Sequence, residues 1–373
     1  MGNYFKKRFE KTLKETDFSL KPRFPVNSLI EVTNTCNHKC IFCKNTNQSR
    51  KTTYLNKDVY KKFIKEASAL GLKEVGLYAT GEPFMAKNLD EYISIAKAYN
   101  IERVYITTNG ALADLKSVIK CVEAGLDSIK FSINASNKED YIRIHGHNDF
   151  SKVLKNVSEI FEWKNINKKN LQMLCTCVVL PSKKYVVKEH QKLFSDYFED
   201  IDYNLSSSQG GQSYDIPLDE TALGAIFHEK TELNDSDIQP CDIVFNRYHL
   251  TAEGYLTACC VDYNLNLAYS DLNVEDLKSG WLNTWITKLR EMHLNKKLDG
   301  TICHQCLRNK KLPYKPIRSL SAKFMDADKA IKVENQLQKR IINFQNKISL
   351  PIILKEGLEK YLGFFRVGLV LDK

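Results

Sequence analysis

The feature that most constrains the fold is an alternation of strand-like and helix-like segments that repeats six times between residues 26 and 212. Residues 28–34 are apolar and β-branched, whereas residues 56–70 carry apolar side chains at helical spacing and end before Gly71. Such alternation favours a parallel sheet with right-handed crossovers, and mainly apolar strands are typical of a sheet covered on both faces. The sequence therefore predicts an α/β fold, either doubly wound or curled like a barrel, with ligands at the carboxyl ends of its strands.

Three cysteines, Cys36, Cys40 and Cys43, crowd into eight residues after the first predicted strand. Three is an odd number for a disulfide framework, and a structural zinc site takes four ligands, usually as two separated pairs. Three close thiolates suit a metal centre that keeps one coordination position open. The sequence TGEP at 80–83 ends the second predicted strand and TTNG at 107–110 ends the third, so we expect all three motifs at one edge of the sheet.

Composition and charge narrow the class of protein and its partners. The 373 residues contain no run of 18 apolar side chains, and the N-terminus lacks the apolar stretch of a signal peptide, so we expect a cytoplasmic protein without a transmembrane segment. Its eleven cysteines would then stay reduced, which favours metal or redox chemistry. The net charge of +10 is concentrated towards both ends and fits an anionic substrate, an acidic protein partner or a plain solvated surface. We do not expect a nucleic acid partner.

The spacing Cys36-x3-Cys40-x2-Cys43, with Phe42 before the last cysteine, resembles the cluster loop of the radical S-adenosylmethionine (radical SAM) enzymes. The resemblance implies a partial (β/α)6 barrel in which three thiolates hold three irons of a [4Fe–4S] cluster. The fourth iron is left for SAM, which one electron from a flavodoxin- or ferredoxin-type reductant would cleave to a 5′-deoxyadenosyl radical. A non-catalytic iron–sulfur protein is the competing interpretation.

Other positions at the same edge resemble the SAM contacts of that family. The TGEP turn is similar to a GGEP turn that holds the SAM amino group, with a threonine in place of the first glycine, and three later polar residues match positions that contact SAM. Each could instead be an ordinary polar residue of a turn or strand end. The implied cofactor-binding residues are Phe42, Thr80, Gly81, Glu82, Pro83, Ser132, Asn134 and Arg143.

A second group of cysteines lies between residues 241 and 306. Its spacing alone is compatible with a zinc ribbon. The order of its motifs resembles the SPASM or twitch extension of radical SAM enzymes, which implies one auxiliary [4Fe–4S] cluster. The implied ligands are Cys241, Cys259, Cys303 and Cys306, with Cys260 as the alternative to Cys259.

The motifs divide the chain into four parts. We expect a basic N-terminal segment at 1–25, a radical SAM core at 26–212, an auxiliary-cluster domain at 213–312 and a basic, helical extension at 313–373.

The resemblance implies a small polar, sugar-like substrate that loses a carbon-bound hydrogen and is then oxidised or epimerised. Modification of a peptide is the alternative. Cys260 or Cys177 could return a hydrogen atom, and Asp262 could act as a base; core packing for Cys177 and a surface role for Asp262 are the alternatives.

Overall fold

The computed structural model describes residues 4–179, 186–205, 209–210, 234–308, 312–318 and 320. Its strands are β1 (Asn27–Ile30), β2 (Glu74–Gly76), β3 (Arg103–Thr108), β4 (Ser128–Ser132), β5 (Gln172–Val179), β6 (Asp200–Leu205), β7 (Arg247–Leu250), β8 (Tyr255–Thr257) and β9 (Ala268–Asp271). Its α-helices are α1 (Tyr4–Glu15), α2 (Lys57–Ala69), α3 (Leu89–Ala98), α4 (Leu115–Glu123), α5 (Lys138–His145), α6 (Phe150–Ile166), α7 (Val186–Phe194), α8 (Ile243–Asn246), α9 (Leu277–Trp281), α10 (Thr284–Leu294) and α11 (Ile302–Arg308).

All nine described strands form one sheet, in the order β6-β5-β4-β3-β2-β1-β7-β8-β9. The six strands of the N-terminal part are parallel and lie side by side in sequence order, which confirms the predicted parallel α/β architecture. Strand β7 is parallel to β1, with Ile30 opposite Leu250, and β8 and β9 follow as antiparallel neighbours. The C-terminal cysteine-rich part therefore continues the sheet of the core instead of standing apart from it.

Helix α2 illustrates how the crossovers form. The side-chain Oδ1 of Asn56 accepts hydrogen bonds from the backbone N–H groups of Asp58 (2.7 Å) and Val59 (3.4 Å), which satisfies two free donors of the first turn. The buried face carries Tyr60, Phe63, Ile64 and Ala67 at helical spacing. Chain reversal after the helix uses Gly71, whose positive φ of 96° suits glycine.

Among the described helices, α1, α5 and the short helices α8 and α11 were not predicted from the sequence. Helix α1 lies within the segment 1–25, and α5 lies between β4 and α6. Helix α5 begins at the side chain of Asn137, whose Oδ1 accepts from the N–H of Asp140, and ends at Gly146 in the left-handed region. Within the described ranges, no helix is long and apolar enough to cross a membrane. The extension predicted at 313–373 lies outside the described residues from 321 onwards.

Candidate functional site

The loop that carries the first three cysteines is fixed by the end of α5. The backbone N–H groups of Lys39 and Ile41 donate to the carbonyls of His145 (3.0 Å) and Ile144 (2.9 Å). The last carbonyls of a helix have no partner within it, so this contact satisfies the loop and the helix end together. Helix α5, which was not predicted from the sequence, thus holds the backbone of the loop between Cys36 and Cys43.

The TGEP turn packs directly on the loop that leads to Cys36. A Cβ atom on Gly81 would lie 2.2 Å from the carbonyl oxygen of Thr33, so only glycine permits this approach. The N–H of Glu82 donates to the carbonyl of Thr35 at 2.8 Å. From the other side, the Nδ2 of Asn45 donates to the carbonyl of Thr80 at 2.7 Å. The two motifs therefore meet as predicted from the strand order.

The carboxylate of Glu82 joins the second and third strand ends. Its Oε1 accepts from the hydroxyl of Thr108 (2.7 Å) and the N–H of Phe84 (3.2 Å), and its Oε2 accepts from the N–H of Asn109 (2.8 Å). Burial raises the pKa of Glu82 to about 7, against the opposing effect of these donors. A carboxylate has about four acceptor positions, so one remains for a ligand.

Each of the three thiols has a side-chain donor or partner from another element. The Nδ2 of Asn109 lies 3.9 Å from the Cys36 sulfur, the Nδ1 of His145 lies 3.6 Å from Cys40, and the hydroxyl of Tyr263 lies 3.4 Å from Cys43.

Burial raises the pKa of the Cys36 thiol to about 12 and also raises the pKa of the Cys40 thiol well above its usual range, and the neighbouring thiols of the loop add to both shifts. Converging thiols with polar donors aimed at the sulfurs are the donor set that an iron–sulfur cluster requires. The three cysteines and the donors around them therefore fit an iron–sulfur cluster.

A fully buried ion cluster lies behind the TGEP turn. The guanidinium of Arg50 bonds Glu31 through Nη1 (3.2 Å) and Nη2, and bonds Glu253 through Nε (2.9 Å) and Nη2 (2.5 Å). Glu31 also accepts from the hydroxyl of Thr80 and from the N–H of Ala252 (3.0 Å). Burial opposes the charge of Glu31, yet the nearby Arg50 and these donors lower its pKa. Thr80, which departs from the GGEP pattern, is thus part of this cluster.

The other predicted SAM contacts lie in different environments. Ser132 ends β4, and Phe42 and Pro83 are buried. Asn134 is buried, with its Oδ1 accepting from the N–H of Val178 at 2.7 Å. Arg143 is 54% exposed and lies 3.5 Å from Asp140 of its own helix. Arg143 is therefore held in a solvent-facing ion pair, and its predicted contact with SAM stays untested.

The five C-terminal cysteines are close enough to influence one another. Burial raises the pKa of Cys241 to about 12 and that of Cys303 above its usual range, and Cys306 adds to both shifts. Cys259 interacts with Cys260 and with Cys241. The cysteines of the predicted ligand set therefore lie near one another, and Cys259, with Cys260 as its alternative, stays the predicted ligand of the pair.

The paired cysteines differ in their surroundings. A hydrogen bond between Cys259 and Cys260 lowers the pKa of Cys260 well below its usual range, and His249 and Arg247 favour the same direction. The same bond, together with burial, raises the pKa of Cys259.

The remaining two candidates for catalysis are deeply buried. Asp262 accepts three hydrogen bonds of 2.7 Å, from the hydroxyl of Thr257 and from the N–H groups of Asn266 and Leu267. This arrangement holds the loop after the cysteine pair and excludes the surface alternative, since Asp262 is 3% exposed. Cys177 is 1% exposed within β5, in agreement with its packing alternative. Their roles as base and hydrogen donor stay predictions.

Comparison with known proteins identifies the core. The sequence profile of the Radical SAM superfamily matches residues 30–173. These residues form a radical SAM domain. Proteins with this domain use a [4Fe–4S] cluster and SAM, and the matched range contains the three-cysteine loop and the TGEP turn.

Curated relatives carry the name GTP 3′,8-cyclase. The protein from Chlorobaculum tepidum is 32% identical over 34% of this chain and 38% of its own length. The Clostridium botulinum protein of that name is 25% identical over 62% of this chain and 79% of its own length. The chain spans only about two fifths of the length of the relatives with higher identity.

Solved structures share the fold at low identity. Streptococcus suis SuiB bound to precursor peptide SuiA superposes with a TM-score of 0.59 at 16% identity, over 85% of this chain and 79% of SuiB. BtrN in complex with AdoMet and 2-DOIA gives 0.50 at 18% identity, over 77% and 93%. The AdoMet-bound anSMEcpe gives 0.51 at 15% identity, over 90% and 99%. At these identities the likeness establishes the fold alone.

Sequence reasoning missed several residues that shape the site. Glu31 could have been noticed, because it is a charged residue directly after an apolar strand. Arg50, His145 and Tyr263 gave no signal, because each has a partner 100 or more residues away that only the folded chain brings close: Glu253, Cys40 and Cys43.

Proposed function

We propose that the protein is a radical SAM enzyme that cleaves SAM reductively and removes a carbon-bound hydrogen from a small polar substrate. The observation that carries this proposal is the meeting of three half-buried thiols with a glycine turn at one edge of the parallel sheet. The turn approaches the cysteine loop so closely that Gly81 admits no side chain. A plain electron carrier has no use for a second motif built against its cluster loop.

The residues of the chain would divide the work as follows. Cys36, Cys40 and Cys43 would hold the cluster, and the TGEP turn would bind the SAM amino group through its backbone and the free acceptor position of Glu82. The bound cluster and SAM supply an electron and a 5′-deoxyadenosyl radical. A flavodoxin- or ferredoxin-type protein would be the reductant, and the net charge of +10 favours an acidic partner.

The second cysteine set would hold one auxiliary [4Fe–4S] cluster. Cys241, Cys259, Cys303 and Cys306 are the proposed ligands, with Cys260 as the alternative to Cys259. Thr80 lines the same small cavity as Cys259 and Cys260, so the SAM turn and the cysteine pair approach one another. An acceptor held there would take an electron from a substrate radical, which favours oxidation over epimerisation.

The substrate class is proposed from two supports. The resemblance to radical SAM enzymes with one auxiliary cluster implies a sugar-like substrate. The curated relatives are named for a reaction at the 3′ position of GTP, which is a ribose position. Both supports favour a compound with a ribose or related ring, and GTP is therefore the first candidate to test. SuiB, crystallised with a precursor peptide, shares the fold, so a peptide remains the second candidate.

The first experiment is reductive SAM cleavage. The protein is reconstituted with iron and sulfide under anaerobic conditions, and 5′-deoxyadenosine is measured after addition of SAM and dithionite. Changing Cys36, Cys40 or Cys43 to alanine is expected to abolish the product, while Cys121→Ala in α4 serves as the matched control and keeps it. An intact cluster that yields no 5′-deoxyadenosine contradicts the enzyme proposal.

The second experiment addresses the substrate. Candidate sugars, GTP and peptides are each tested for increased 5′-deoxyadenosine formation, and the product is analysed after turnover in D₂O. A carbonyl product indicates oxidation, and deuterium on carbon without a change in oxidation level indicates epimerisation. Stimulation by a peptide alone would replace the small-substrate proposal.

A further inference from the structure

His145 lies directly against one of the proposed cluster ligands. It is the last residue of α5 and 1% exposed, and its Nδ1 lies 3.6 Å from the Cys40 sulfur. The ring of Tyr141 stacks on it, with centroids 4.0 Å apart and planes within 12°. Because α5 also holds the backbone of the cysteine loop, the imidazole has little freedom to turn away.

The opposite nitrogen decides which atom carries the imidazole hydrogen. The backbone N–H of Asn134, which can only donate, lies 3.2 Å from Nε2 of His145. The side-chain Nδ2 of Asn134 lies 3.3 Å from the same Nε2, and its orientation is fixed because its Oδ1 accepts from the N–H of Val178 at 2.7 Å. Nε2 is therefore an acceptor, and the neutral ring carries its hydrogen on Nδ1, facing sulfur.

We propose that His145 is a positioning residue that donates its Nδ1–H to the Cys40 sulfur and thereby raises the reduction potential of the cluster bound there. The inference rests on the proposed function, since it requires a cluster at the first three cysteines. Hydrogen bonds to ligand sulfur stabilise the extra electron of the reduced state. The driving force for reductive cleavage of SAM would then depend on α5, outside the cysteine loop.

The test compares variants that keep or remove the N–H group. His145→Phe keeps an aromatic ring against Tyr141 but has no donor, and His145→Gln offers an amide donor in the same place. His147→Phe is the matched control: its own side chain is 54% exposed and its Nδ1 pairs with Asp149 at 2.8 Å. Iron content is measured first, and the midpoint potential of the SAM-responsive cluster is then measured by an EPR-monitored redox titration.

The expected change is a roughly tenfold lower equilibrium constant for one-electron reduction in His145→Phe, which corresponds to about 59 mV for one electron. His145→Gln is expected to recover part of the shift, and His147→Phe to match wild type. A fully loaded His145→Phe protein with the wild-type potential overturns the proposal. Direct coupling of a histidine nitrogen to the cluster in the wild-type EPR spectrum would also overturn it, because His145 would then be a ligand.

A measurement on the iron-free protein separates this inference from the proposed function. Selective ¹⁵N labelling of histidine and NMR report which nitrogen of His145 carries hydrogen. The Nδ1–H form is expected, and an Nε2–H form refutes the hydrogen bond even if His145→Phe loads no cluster. If wild type shows Nδ1–H but binds no four-iron cluster at Cys36, Cys40 and Cys43, the proposed function fails together with the tuning role.

Discussion

Removing Arg50 should destabilise the fold strongly, because it would leave two buried carboxylates without their common partner. The Arg50 side chain is 0% exposed, as is that of Glu253, and that of Glu31 is 2% exposed. Breaking such a buried pair by removing one partner costs about 3–5 kcal/mol. We therefore expect Arg50→Met to lower the free energy of unfolding of the iron-free protein by about that amount.

The assay is equilibrium unfolding in urea under reducing, anaerobic conditions, followed by circular dichroism. Lys57→Met is the matched control, because the Lys57 and Glu91 side chains form an ion pair while 37% and 48% exposed. Such surface pairs contribute about 0–1 kcal/mol. The reasoning is refuted if the free energy of unfolding of Arg50→Met lies within about 0.5 kcal/mol of the wild-type value. A difference that small is comparable to the effect of a single substitution on the unfolded state.

A combined variant tests the cause of the loss. In Arg50→Met with Glu31→Gln and Glu253→Gln, the uncompensated charges disappear while the side-chain volumes stay similar. Neutral replacements of a whole buried ion cluster are often tolerated. The triple variant should therefore be more stable than Arg50→Met alone; equal or lower stability would mean that packing, and not charge, explains the single variant.

Three further changes probe the same neighbourhood. Gly81→Ala should lower the free energy of unfolding by about 3 kcal/mol and weaken SAM binding measured by calorimetry, because the added Cβ meets a backbone oxygen. Gly71→Ala, which has open space around it, should cost about 1 kcal/mol and leave SAM binding unchanged. Equal effects of the two variants would contradict this explanation. Asn45→Ala should lower the free energy of unfolding in urea by about 1–3 kcal/mol, because the Nδ2 of Asn45 donates hydrogen bonds to the carbonyls of Thr80 and Asn34. Wild-type stability of this variant would contradict that role. Because the pKa of Glu31 is lowered in the folded state, this carboxylate contributes stability at pH values above its ordinary pKa of 4.5, and the contribution is lost as the pH falls through the folded-state pKa. Glu31→Gln should therefore make the free energy of unfolding depend less on pH at acid pH. An unchanged pH dependence would contradict the shift.

The strand order explains why the edge of the sheet was predictable. Parallel strands end on the same side, so motifs after β1, β2 and β3 had to approach one another, and Gly81 against Thr33 is the resulting contact. The helix pattern of α2 was equally readable, because its buried face and its Asn56 cap are local features. Local periodicity and strand polarity together determine this much of the site.

Contacts between distant segments were not readable. Strands β7 and β8 are antiparallel neighbours joined by a short turn, but the sequence contained no sign that β7 pairs with β1. That pairing depends on which sheet edge remains free after the core has formed. The same limit explains why Arg50 and Tyr263 were missed, since each acts on residues about 200 positions away.

The pairing of β7 with β1 places the C-terminal part next to the edge of the sheet that carries the TGEP turn. Because the two strands are parallel, the turn after β7 lies beside the residues that follow β1, and this places Glu253 and the N–H of Ala252 on the Arg50–Glu31 pair. Glu31 in turn accepts from Thr80 of the TGEP turn. Three buried contacts therefore connect the β7–β8 turn to the TGEP turn: Glu253 with Arg50, Arg50 with Glu31, and Glu31 with Thr80. The threonine that breaks the GGEP pattern supplies the last of them, so in this chain the departure has a structural purpose that a glycine could not serve.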